Sequence, residues 1–124
     1  MVEFLSPEWF EALRRGAAGA SVPPDLALVV QEVIGEGPDE VAFAIRLGGG
    51  RVEIVEGRVD DADVSFRQDI DTARAIASGA LAAQAAFMEG RLKVGGDLRA
   101  LLANAAVLAG IDDVFRDARA AVAW

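Results

Sequence analysis

Cysteine, histidine and tyrosine are all missing from this 124-residue chain. Without cysteine there is no thiolate nucleophile and no disulfide, so a reducing compartment is acceptable to it. Without histidine there is no imidazole base and no Ser-His-Asp triad; with cysteine also gone, no zinc site of the usual Cys/His kind can form. Positive charge is scarce too. Twelve Lys and Arg stand against 20 Asp and Glu, a net charge of -8. Basic residues scattered singly through so acidic a chain do not make a phosphate-binding surface. Nucleic acid is therefore not expected as a partner, and attraction to anionic membrane is disfavoured for the same reason. No apolar run approaches the roughly 18 residues that span a bilayer, so no stable membrane insertion is expected. Acidic Glu3 stands where a signal peptide carries its basic start. The expectation is a cytoplasmic protein that forms one domain over residues 1–124.

Hydrophobic residues make up 53% and charged residues 26%, a globular composition tilted towards apolar. Ser6-Pro7 marks a helix start, with Ser6 as cap and Pro7 in the first turn, and Leu5, Trp9, Phe10 and Leu13 form its apolar face. Gly16 and Gly19 weaken this helix before Pro23-Pro24 ends it. Leu26–Ile34 is almost continuously apolar, as in a strand covered on both faces. Val41, Phe43, Ile45 and Leu47 alternate with Glu40, Ala42, Ala44 and Arg46, the clearest strand pattern in the chain. Strands over Arg51–Glu56 and Asp63–Arg67 follow after brief turns, which predicts an antiparallel meander. Helices are expected from Ile70, capped by Asp69 and stopped by Gly79, and over Leu81–Met88. Two more are marked by Leu98, Leu101, Leu102, Ala105 and Leu108, and by Ile111, Val114, Phe115, Ala118 and Val122.

The glycine and carboxylate clusters have structural readings. Gly48-Gly49-Gly50 lies between two strands with no following Lys, so it is a hairpin turn and not a phosphate cradle. Asp60-Asp61-Ala62-Asp63 lacks the spaced ligands and closing Glu of a calcium loop and reads as an acidic turn. Glu53, Glu56 and Asp63 do not converge as an acid–base pair, and Arg91 and Lys93 fall on the solvated side of a short strand. No catalytic residue, metal site or cofactor is expected.

The richest stretch runs from Phe87 to Asp97. Phe87-Met88 ends a helix, Gly90 stops it, Arg91–Val94 alternates like a strand, Gly95-Gly96 breaks that strand, and Asp97 caps the next helix. The apolar helix faces around it are rich in small alanines. By periodicity alone they fit plain core better than the walls of a pocket, though both remain open.

Extended backwards, this stretch resembles a known family. Ala62-Asp63-Val64-Ser65-Phe66, Gly79-Ala80-Leu81 and Ala86–Asp97 are similar to the sterol carrier protein 2 family, whose run is "ADV-x-F", then "G-x-L", then "A-F-x-x-G-K-L-K-[IV]-x-G-[DN]". The resemblance implies an α/β (α+β) domain in which a five-stranded, mainly antiparallel sheet is covered by helices that enclose a hydrophobic tunnel. It implies non-catalytic binding of a fatty acid, acyl-CoA, sterol or similar lipid as the partner, with a homodimer or interaction module of the same fold as the alternative. It suggests Phe43, Ile45, Phe87, Met88, Leu98, Leu101, Leu102, Ala105 and Phe115 as ligand-binding wall residues. Two departures stand out. Ala82-Ala83-Gln84 lacks a proline common in the family, and Ala121-Val122-Ala123-Trp124 is not a peroxisomal signal.

Overall fold

The Ser6 hydroxyl accepts a hydrogen bond from the Trp9 amide at 3.2 Å, and Pro7 occupies the first turn, so helix α1 (Pro7–Ala18) starts where its residues dictate. A computed structural model describes residues 3–20, 22–104 and 122. After α1 come strands β1 (Leu28–Ile34), β2 (Val41–Gly48), β3 (Arg51–Glu56) and β4 (Val64–Gln68). Helices α2 (Ile70–Ser78) and α3 (Ala83–Met88), strand β5 (Lys93–Gly96) and helix α4 (Leu98–Ala103) complete the order. As the residues require, Asp69 caps α2 by accepting from the Thr72 amide, Gly79 ends it in a left-handed conformation, and Asp97 caps α4.

The five strands form one sheet in the order β3-β2-β1-β4-β5. β1/β2, β2/β3 and β4/β5 are antiparallel, but β1/β4 is parallel. The expected meander is therefore corrected. After β3 the chain does not turn back; it crosses behind β2 and β1, and residues 57–63 are pinned to that rear face. Arg58 forks onto Glu40, Arg46 forks onto Asp61 at 2.7 and 2.8 Å, and the Val59 amide donates to Gln31 Oε1. The bond from Arg46 holds the Asp61 carboxyl below its usual range. The acidic turn is thus the fastening of a crossover.

Strand alternation puts Leu28, Val30, Glu32 and Ile34 on the front of the sheet. Phe43, Ile45, Leu47, Val52 and Ile54 share that face and are buried, and α1 lays Trp9, Phe10 and Leu13 over it. The Trp9, Phe10 and Phe43 rings meet edge-on with centroids 5.1–5.8 Å apart.

Other expectations shift. Helix α1 runs through Gly16, and Ile70, at the start of α2, is exposed. β5 starts at Lys93 and includes Gly95 and Gly96, which pair with Ser65 and Val64; the two glycines extend the strand where a break was expected. Only glycine fits at position 96. Its φ is +88°, and a Cβ there would collide with the Asp63 carbonyl oxygen. The expected final helix lies outside the described residues except for Val122, which sits in an isolated β-bridge and is buried in the core.

Replacing Gly96 by alanine should therefore destabilise the fold by about 2 kcal/mol or more, through clash and a strained φ. Gly95→Ala, with open space around it and no positive φ, should change stability by less than about 1 kcal/mol. Urea denaturation of the two variants checks this; equal losses would contradict the role assigned to Gly96.

Candidate ligand-binding groove

Past the edge of α1 the front face of the sheet continues as an open groove of about 770 Å³. Its floor is one cross-strand row, Val41, Ile34 and Gln68. Leu5 and Ile70 supply apolar walls. Leu5 immediately precedes the Ser6 cap and holds φ at +66°, the only positive φ among the described non-glycine residues. The rim is mixed. Arg67, Arg91 and Lys93 face Glu36, Asp39 and Asp69, so the cations are matched in number. Arg67 lies 3.8 Å from Glu40, and Arg91, exposed as expected, also donates from Nε to the buried Thr72 hydroxyl.

The next row inward places a carboxyl between aromatic neighbours: Phe43, Glu32 and Phe66 pair across β2, β1 and β4. Gln68, buried in the groove floor, donates from Nε2 to Glu32 Oε2 at 2.6 Å. The other Glu32 oxygen has no hydrogen-bond partner among the described residues. The Glu32 residue as a whole is nevertheless partly exposed. Glu32 is thus hemmed in by protein yet reachable. Loss of hydration raises its pKa from 4.5 to about 7, more than the Gln68 bond lowers it.

The comparisons with known proteins now bear on this geometry. A family model described as the SCP-2 sterol transfer family matches residues 25–109. The chain belongs to that family. Among solved structures, a crystal structure of sterol carrier protein 2 is 21% identical with a TM-score of 0.69, covering 98% of this chain and 100% of that one. Palmitated SCP2L2 from Aedes aegypti is 23% identical with a TM-score of 0.60, over 86% and 94% of the two chains. A conserved hypothetical protein from Thermus thermophilus is 22% identical with a TM-score of 0.57, over 100% and 93%. At such identities these similarities establish the fold, the expected five-stranded, mainly antiparallel sheet with helices. No curated protein sequence matches the chain.

Of the residues suggested from the family resemblance, none of the described ones lines the groove. Phe43 and Ile45 are buried on the front of the sheet, Phe43 beside Glu32. Phe87 and Met88 on α3 and Leu98 and Leu102 on α4 are exposed, Met88 at 79% and Leu102 at 75%; Leu101 is half-buried. Ala105 and Phe115 lie outside the described residues. Sequence reasoning missed Glu32 and Gln68. The available signal was alternation, since Glu32 shares the parity of Leu28, Val30 and Ile34 and so falls on the core face.

Glu32 makes stability depend on pH with a definite sign. Its carboxyl ionises near 4.5 in the unfolded chain and near 7 in the fold. Between those values the fold holds more protons, so this contribution is complete below pH 4.5 and is lost as pH rises towards 7. Glu32→Gln should stabilise the protein, with a gain that grows between pH 5 and pH 8 in urea titrations. A gain independent of pH would mean that the carboxyl ionises alike in both states.

Proposed function

We propose that this protein is a non-catalytic carrier that holds one apolar ligand, a fatty acid, acyl-CoA, sterol or similar lipid, out of water. The observation that carries the reading is the groove itself, whose floor continues the hydrophobic front of the sheet in a member of a sterol transfer family. Its volume falls in the ~300–1,000 Å³ range of small-molecule sites. One structural relative is described as palmitated, which supports a ligand with a long apolar chain. Among the described residues no three His, Cys, Asp or Glu side chains gather as a metal site. The driving force is removal of apolar surface from water, about 25 cal/mol per Å².

Exposure of Phe87, Met88, Leu98 and Leu102 favours a second reading, an interaction or dimerisation module that covers this surface with a partner. Light scattering separates the two: a tight dimer that binds no lipid probe supports the module, a lipid-binding monomer the carrier.

Protein purified without detergent should release lipid in native mass spectrometry. Within a series of ligands sharing one head group, Kd should fall about fourfold per added CH₂, the equivalent of roughly 0.8 kcal/mol each, until the groove is full. Absence of any co-purified lipid, together with no binding across the series, would overturn the carrier reading.

A further inference from the structure

We infer that Glu32 and Gln68 form the docking point for the hydroxyl end of an uncharged amphiphile and select against lipids headed by a carboxylate. This rests on the carrier reading and names the ligand class of the same groove.

Gln68 is the polar member of an otherwise apolar floor, and it hands its hydrogen bond inward to Glu32. The pair therefore forms a polar path from the groove into a row whose other members, Phe43 and Phe66, offer no hydrogen bond. What the path presents at its inner end is an acceptor: Gln68 donates to one carboxylate oxygen, the other accepts from no described residue, and Glu32 is partly exposed in the row next to the groove floor. A ligand hydroxyl donates to that oxygen and leaves an apolar body against Leu5, Ile34, Val41 and Ile70. An ionised ligand carboxylate has no proton to donate and sets like charge against like charge in a poorly hydrated space.

No described cation neutralises Glu32. Facing it, β2 presents Phe43 and β4 presents Phe66 and Gln68, while Trp9 and Phe10 of α1 pack on Phe43. Glu56, beyond Phe43 in the same row, is paired with Arg14 at 2.7 Å. The rim does not recruit anions either, because Glu36, Asp39 and Asp69 offset its three cations.

The test compares binding of radiolabelled 1-hexadecanol and radiolabelled palmitate at pH 8 to the wild-type protein and to Glu32→Gln. Wild type should favour hexadecanol by about tenfold or more, as expected for a hydrogen bond to a charged acceptor. In Glu32→Gln the preference should shrink to about threefold or less, mainly because palmitate binds more tightly. Gln68→Met, which keeps the charge but frees the carboxylate, should reduce the preference by less than Glu32→Gln does. Palmitate binding as tightly as hexadecanol in wild type, or a preference unmoved by Glu32→Gln, overturns the inference while leaving the carrier intact. Binding of neither ligand to any of the three proteins overturns both.

Discussion

The Val29 amide donates to the Asp63 carboxylate at 2.7 Å, and the Asp63 amide donates back to the Val29 carbonyl at 2.8 Å. This double clamp decides where β4 begins. It sets Val64 level with Val30, and from there the register runs to Gln68 opposite Ile34. Strand side chains alternate with a period of two, so a slip of one residue would turn Gln68 to the rear and bring Arg67 to the front. The Glu32–Gln68 bond and the groove floor both depend on that register. The same residue fixes the next elements as well, because its carbonyl accepts from the Asp97 amide at 2.7 Å, at the cap of α4.

A crossover that brings β4 parallel to β1 leaves the two faces of the sheet unequal. Its own residues cover the rear, where Ala44 is fully buried and Val33 nearly so. The ion pairs that fasten it are exposed, and each contributes little alone. Their effect is positional: Glu40 sits just before β2 and Arg46 near its far end, and together they hold the crossing segment along the strand. The front is left to the helices. Helix α1 packs against β3, and its Trp9 and Phe10 close over Phe43. The neighbouring row of Val41, Ile34 and Gln68 then carries the groove.

Helix boundaries were legible in the chain because each is set by a local rule. Ser6, Asp69 and Asp97 accept from amides two or three residues ahead, and Gly79 takes a φ closed to other residues; all these interactions lie within a few residues of sequence. The parallel pairing was not legible, because it depends on Asp63 reaching Val29, 34 residues away. β5 was misread for a related reason: Gly95-Gly96 looks like a break until Asp63 crowds position 96 and makes glycine a condition of the strand. Glu32 was hidden in another way. In a run of nine residues that is almost all apolar, one charge looks like an edge position, whereas the register places it between Phe43 and Phe66.

Two local preferences are broken in this fold, and both breaches meet at the groove. Leu5 holds a left-handed backbone that a residue with a Cβ ordinarily avoids, and it forms a groove wall. Glu32 places an ionisable group where an apolar side chain would pack without a desolvation penalty, and its hydrogen-bond partner forms the floor. Elsewhere among the described residues positive φ is confined to glycine, and no buried side-chain polar atom lacks a partner. Strain and a poorly hydrated carboxyl lower the stability of the empty protein, and on the inference drawn above a ligand that fills the groove and donates to Glu32 recovers part of that loss. Features that oppose folding but favour an occupied groove mark a binding site more sharply than apolar lining does, since apolar surface alone serves a core equally well.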